Sequence, residues 1–193
     1  VRDANNCLSA VVPVTITQPA AAVTAPFSQI NVSCFGGNNG SITITPAGGV
    51  GPYDFSLDGG GTFPITDLAN HTFNTLIAGV YNIQVRDANN CLSAVVPVTI
   101  TQPAAAVTAP FTQVNVSCFG GNDGSITVTP AGGTAPYDFS IDGGATFPIL
   151  NAANHTFSTL TAGTYNVQVR DANNCLTAVI PVTITQPAAA LTA

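Results

Sequence analysis

An internal period of 84 residues constrains this chain more tightly than any other feature of its sequence. Residues 23–106 fall on residues 107–190 with 17 differences, so 67 of 84 positions, about 80%, are identical. Residues 1–22 repeat residues 85–106 without a change, and the phrase VRDANNC stands at Val1–Cys7, Val85–Cys91 and Val169–Cys175. The chain is therefore expected to be a window on a longer tandem array. In that reading 1–22 is the C-terminal part of one repeat, 23–106 and 107–190 are two repeats, and 191–193 starts the next linker. Whatever the fold is, it closes within 84 residues and tolerates a copy of itself on either side.

Inside the repeat, apolar and polar residues alternate with a period of two, and no stretch carries a helical period. Gln29–Cys34 places Ile30, Val32 and Cys34 on one face; Ser41–Thr45 places Ile42 and Ile44 inward, with Thr43 and Thr45 outward. Val80–Arg86 turns Tyr81, Ile83 and Val85 to the core and Asn82, Gln84 and Arg86 to water, while Val96–Thr101 buries Val96, Val98 and Ile100. With Tyr53–Leu57 and His71–Leu76 this makes about six or seven strands, separated by the turn signals GGNNG, PAGGVGP, DGGG, LIAG and DANN. The spacing predicts an all-β fold of tandem immunoglobulin-like β-sandwich repeats.

Particular residues sharpen that expectation. Pro97 sits inside a strand pattern and marks an edge strand, because proline has no N–H for a ladder. Tyr81 opens its strand after the Ala78-Gly79 turn, the place of a tyrosine corner; an aromatic that only fills the core would read the same way. In DANN, Asp87 can accept from amides further along the turn and asparagine tolerates left-handed backbone, so the recurring phrase is a turn that every repeat needs. The segment TQPAAAVTAP, with proline at both ends, is expected to be a stiff linker, with Phe111 beginning the next sandwich. Between copies, Ile30/Val114, Ile44/Val128, Leu57/Ile141, Ile83/Val167 and Val96/Ile180 exchange one aliphatic for another, as a core tolerates. Ile77/Thr161 and Val80/Thr164 exchange apolar for hydroxyl, as a surface does.

Charge narrows the function. There is no Lys and no Glu; Arg2, Arg86 and Arg170 stand against nine acidic residues, all Asp, for a net charge of −6. Charged residues are 6% of the chain, where about a quarter is usual. Nothing here can neutralise a row of phosphates, which excludes nucleic acid as a partner, and a soluble cytosolic enzyme is not expected. No apolar run approaches the roughly 18–20 residues of a membrane-spanning helix, and no basic segment followed by an apolar one marks a leader. Lysine–asparagine isopeptide cross-links are excluded by the missing lysine.

The candidate chemistry is thin. His71 and His155 stand in NHTF without a Glu or second histidine nearby, and read as loop or edge residues. Asp58, Asp87 and Asn89 offer the hard oxygens calcium favours, but one or two carboxylates per site bind weakly, and turn geometry explains them. GGNNGS lacks the lysine and the following helix of a phosphate loop. Asn31, Asn39 and Asn70 fit N-x-Ser/Thr, a pattern that does not by itself establish glycosylation. No catalytic residue, cofactor or metal ligand is expected.

The five cysteines are 7, 34, 91, 118 and 175, two per repeat at one separation, 91 − 34 = 57 and 175 − 118 = 57. Pairing within each repeat, Cys34–Cys91 and Cys118–Cys175, is the natural expectation and leaves Cys7 without its partner. The alternative, Cys7–Cys34 and Cys91–Cys118, would join neighbouring repeats. A loop of that size stabilises by about 4 kcal/mol on a chain-entropy account, and regular pairs point to an oxidising, extracellular setting.

The Cys118-Phe119-Gly120-Gly121 block, the Ala162-Gly163-Thr164-Tyr165 block and the Asp171–Cys175 turn, in that order over nearly the whole chain, resemble the SprB-type repeat. The resemblance implies a secreted segment of a large bacterial cell-surface or gliding adhesin, without catalytic residues. The function expected is that of a stiff stalk or fibre, with neighbouring repeats and other copies of the same protein as partners. A carbohydrate-binding module, using Phe35 or Phe119 against surface glycan, is the alternative.

Overall fold

The computed structural model describes residues 1–192, and every regular element in them is a strand. The first repeat contains β1 (Phe27–Ile30), β2 (Gly40–Ile44), β3 (Tyr53–Ser56), β4 (Ile65–Leu68), β5 (His71–Leu76), β6 (Gly79–Asp87) and β7 (Val96–Ile100). The second contains β8 (Phe111–Val114), β9 (Gly124–Val128), β10 (Tyr137–Ser140), β11 (Ile149–Ala152), β12 (His155–Leu160), β13 (Gly163–Asp171) and β14 (Ile180–Ile184). Each repeat has a three-stranded sheet, β1-β2-β5 or β12-β9-β8, and a four-stranded one, β4-β3-β6-β7 or β11-β10-β13-β14. This is an immunoglobulin-like sandwich in which the fourth strand hydrogen-bonds to the third. In the constant-type domain that strand edges the other sheet.

By its contacts the chain divides into two compact units that do not follow the period. One comprises Val1–Pro26, Ile44–His71 and Asn82–Val96; the other comprises Phe27–Thr43, Thr72–Tyr81 and the chain from Pro97 onward, and so holds the whole second repeat. In that repeat Ile126 and Val128 of β9 pack with Phe139 of β10, Val167 and Val169 of β13, and Val182 and Ile184 of β14. The same positions are sealed in the first repeat, where Ile42, Ile44, Phe55, Ile83, Val85, Val98 and Ile100 are all at most 1% exposed. Alternation thus picked out the inward faces of β2, β6 and β7 correctly. Pro97 and Pro181 lie on β7 and β14, each the last strand of its sheet. Ile77 and Val80 face water at 61% and 64% exposure, as their exchange for threonine suggested.

Three expectations need correction. Ile30 is 65% exposed and Val114 59%, so neither is core. Gln113 stands opposite Ile126 in the ladder and Val114 opposite Ser125, which puts the parity one residue away from the expected one, and one residue inverts a strand's faces. The inward glutamine is satisfied because its amide reaches the other sheet: Gln113 Nε2 donates to the Thr183 carbonyl at 2.9 Å, and Gln29 to Thr99 at 2.9 Å. Second, the outer face of β6 is not bare. Gln84 is buried and donates to the Ser93 carbonyl at 2.9 Å. Arg86 lies 4.6 Å from the centre of the Phe63 ring and pairs with Asp54 at 2.7 Å.

The third correction concerns the proline–alanine segment. Val107 and Ala109 are buried, Thr108 bridges to Ala131, and the Ala105 carbonyl accepts from Gly133 N at 2.9 Å. Much of the expected linker therefore belongs to the second repeat. Tyr81 Oη donates to the Ile77 carbonyl at 3.1 Å and Tyr165 Oη to Thr161 at 3.0 Å. That return to backbone four residues upstream is the tyrosine corner.

Candidate functional site: a disulfide contact at the Asp-Ala-Asn-Asn-Cys turn

The recurring phrase builds its turn from its own atoms. Asp171 Oδ1 accepts from the amides of Asn173 and Cys175, both at 2.9 Å, while Asn174 takes the left-handed backbone at φ 63°. Asp87 does the same with Asn89 and Cys91 (2.9 and 2.8 Å), with Asn90 at φ 64°. Asp3 repeats it with Asn5 and Cys7 (2.9 and 2.8 Å), although residues 1–22 carry no sandwich around them. The turn is thus encoded locally, by an aspartate acceptor and an asparagine that accepts positive φ. Around Asp87 burial opposes the charge, but amide hydrogen bonds from Cys91, Val50 and Asn89 outweigh it and hold the carboxyl below its ordinary value. Both of its oxygens are filled with N–H donors, Val50 N at 3.0 Å on Oδ2 and the two turn amides on Oδ1. Asp58 is likewise filled by the Ser56 hydroxyl and by the amide and hydroxyl of Thr62.

The partner element is the Cys-Phe-Gly-Gly loop. The Cys34 carbonyl accepts from Gly37 N at 3.0 Å with Gly36 at φ 73°, a tight turn whose third residue needs positive φ and hence glycine. Gly36 N in turn donates to Gln102 Oε1 at 2.8 Å, fastening the loop to the end of β7. Asn39 secures the other side by accepting from Ser33 N at 3.0 Å. Asp123 does so in the second repeat, where the Ser117 hydroxyl foremost, then its amide, lowers the carboxyl pKa.

Cys34 bonds to Cys175, with Cα atoms 5.7 Å apart at a sequence separation of 141. The within-repeat pairs expected from equal spacing do not form, nor does the alternative set; Cys7, Cys91 and Cys118 are exposed thiols. Strand direction explains this. In the second repeat the loop carrying Cys118 sits at the far end of β14, where Val116 N donates to the Thr185 carbonyl and Gly120 N to Gln186 Oε1. Gly163 of β13 pairs with Ile184 there, whereas Cys175 follows Asp171 at the opposite end of β13. Eight steps of about 3.3 Å separate those ends by roughly 26 Å, and a disulfide needs Cα atoms within about 7 Å. A strand pattern without topology does not reveal which loops share a pole.

Around the bond, Asn173 Nδ2 donates to the Ser33 carbonyl at 3.1 Å and to Thr134 Oγ1 at 3.0 Å. Cys34, Phe35, Val107, Gly133, Cys175 and Leu176 border a small cavity of about 150 Å³. His155 lies edge-on to Phe157 at 4.6 Å and tilted to Phe139 at 6.0 Å, on β12. No group of three or more His, Cys, Asp or Glu is clustered among the described residues. Sequence reasoning missed the Arg86–Asp54 and Arg170–Asp138 pairs, although a lone arginine in each repeat opposite a strand aspartate was a usable signal.

No curated protein sequence matches the chain. Among solved structures it is similar to three N-terminal domains of the bacteriophage RB49 Highly Immunogenic Outer Capsid protein, at 15% identity and TM-score 0.42, covering 86% of this chain and 59% of that one. It is also similar to the fibronectin(III)-like modules of Clostridium thermocellum CbhA, at 18% identity and TM-score 0.33, covering 76% of this chain and 85% of that one. The chain thus spans less than two thirds of the capsid-protein structure. The SprB repeat model matches residues 27–62 and 111–146, the same stretch in each copy of the period. These two segments of the chain, each running from the first strand of its sandwich through the Asp-Gly-Gly turn, are SprB repeats.

Proposed function

We propose that this chain is a force-carrying segment of an extracellular bacterial surface protein, a stalk whose successive repeats are tied by sulfur. One observation supports this above the others: the bond between Cys34 and Cys175 joins different repeats. A bridge inside one sandwich protects that sandwich; a bridge between two gives tension a covalent route around them. A disulfide of this kind also fits an oxidising compartment. The composition agrees, since uncharged Thr and Asn surfaces and polar groups satisfied by one another suit repetition better than catalysis.

The reading is tested by pulling the chain from its two ends. Reduced, unfolding should release nearly the whole contour, about 680 Å at about 3.5 Å per residue. Oxidised, the segment inside the bond, at a sequence separation of 141, is held back, leaving roughly 180 Å from the remaining residues. Release of the full contour from oxidised chains would defeat the proposal.

A further inference from the structure

We propose that Asn39 is the deamidation site of this chain, shielded while its repeat is folded and converted to aspartate when strand β2 opens. The inference rests on one loop and does not require the mechanical reading above.

Asn39-Gly40 is the one Asn-Gly pair in the sequence. An asparagine side chain is lost when the backbone nitrogen of the next residue attacks its amide carbon, and glycine, which has no Cβ, hinders that attack least. The fold restrains both partners. Asn39 Oδ1 accepts from Ser33 N at 3.0 Å and Asn39 Nδ2 donates to Ser33 Oγ at 2.6 Å, so the side chain is held toward residue 33. Gly40 is buried at the start of β2, where an added Cβ would meet Ile100 Cγ2 and the Leu76 carbonyl oxygen, each at 2.8 Å. Cyclisation in place would break both Ser33 bonds. It would also need a solvent base to reach an amide packed between Ile100 and Leu76. Once β2 opens, neither restraint is left.

The reaction consumes water and releases ammonia. A solvent base removes the Gly40 amide proton, Gly40 N bonds to Asn39 Cγ, and the Cγ–Nδ2 bond breaks as ammonia leaves with a proton returned by solvent. Water then opens the cyclic imide at either carbonyl, giving aspartate or isoaspartate.

The second repeat shows how the folded loop receives the first product. Asp123 stands 84 positions after Asn39 and precedes Gly124, and its Oδ1 accepts from Ser117 N at the same 3.0 Å. Gly124 meets Ile184 Cγ2 and the Leu160 carbonyl oxygen at the same 2.8 Å. An aspartate at position 39 therefore fits the fold and takes the net charge from −6 to −7. Isoaspartate adds a methylene to the main chain beside Gly40, where the packing leaves no room for it. Each opening of the strand thus exposes the chain to a permanent change of charge.

The test holds the full, disulfide-bonded chain in mildly alkaline buffer, native or in guanidinium chloride. Residue 39 is followed by mass spectrometry of peptic peptides cut at acid pH after reduction. The denatured chain should convert Asn39 roughly tenfold or more faster than the native one, whose reaction waits on a rarely populated opening. In the denatured chain Asn39 should convert before any other asparagine. Asn39→Asp should keep the Cys34–Cys175 bond and unfold at the parent's urea midpoint. Ser33→Ala keeps the amide of residue 33 and lacks the hydroxyl that receives Nδ2. It should raise the native rate several-fold and leave the denatured rate unchanged. After refolding, the folded fraction should contain aspartate at position 39 and be depleted of isoaspartate. Equal native and denatured rates, earlier loss of another asparagine, a lowered midpoint for Asn39→Asp, an unchanged native rate in Ser33→Ala, or isoaspartate retained in the folded fraction would each overturn the proposal.

Discussion

Replacing Cys34 by serine should cost this chain more than any other exchange of a cysteine except that of Cys175. The bond closes a loop of 141 residues. On the chain-entropy relation its removal frees about 17 cal/mol/K in the unfolded ensemble, or about 5 kcal/mol at 25 °C. With a urea slope of about 2 kcal/mol/M, the midpoint falls by about 2.5 M. Cys175→Ser should match Cys34→Ser, and the double variant should be no worse than either. Cys91→Ser and Cys118→Ser, at exposed thiols, should stay within about 0.5 kcal/mol of the parent. Urea unfolding followed by near-ultraviolet signals measures all five. The reasoning is refuted if Cys91→Ser costs as much as Cys34→Ser while Cys118→Ser matches Cys175→Ser, for then each sandwich carries its own bridge. Trypsin gives an independent reading, because only Arg2, Arg86 and Arg170 are cleavable. An unreduced digest should hold 3–86 to 171–193 and let 87–170 go free.

Tyr165→Phe removes the 3.0 Å bond to the Thr161 carbonyl and should cost about 1 kcal/mol, seen as a lowered thermal midpoint; no change would demote the corner to simple packing. Gly133→Ala should destabilise by more than about 2 kcal/mol, since its φ is +60° and an added Cβ would meet Asp171 Oδ2 at 2.6 Å and Val107 Cβ at 2.9 Å. Gly163→Ala, with nothing within 4 Å, should be neutral or slightly stabilising; equal effects in calorimetry would contradict the packing described. The Ser56 hydroxyl foremost, then the Thr62 amide and hydroxyl, hold Asp58 at about 2, below its ordinary 3.8. Its folded value lies below the unfolded one, so the stability it adds is complete above about pH 4 and lost as pH falls toward 2. A carboxyl carbon titration by NMR with a midpoint near 4 would disprove that.

What the sequence disclosed and what it withheld divide along a physical line. Local and periodic properties were legible. The period, the inward residues of β2, β6 and β7, the proline edges and the Asp-Ala-Asn-Asn turn all follow from near neighbours, and the turn at Asp3 closes with no sandwich around it. Properties that depend on three-dimensional return were not. Ile30 was misplaced because an inward glutamine can be satisfied across the sandwich edge, which alternation cannot anticipate. The strand Ile65–Leu68 went unnamed because its ladder shifts register and Asp67 takes φ 60°. The cysteine partners were misassigned because equal spacing suggests kinship between Cys34 and Cys91, whereas direction of travel decides which loops share an end.

The bond's span of 141 residues exceeds the 84-residue period by 57. Hydrolysis of any single peptide bond between Cys34 and Cys175 therefore leaves one molecule, its two pieces still joined through the sulfurs. Were the same link present at every period, consecutive rings would interlock along the backbone, each overlapping the next by those 57 residues. No isolated scission within such a chain could shorten it, whereas a string of separately bridged beads parts at the first cut between them.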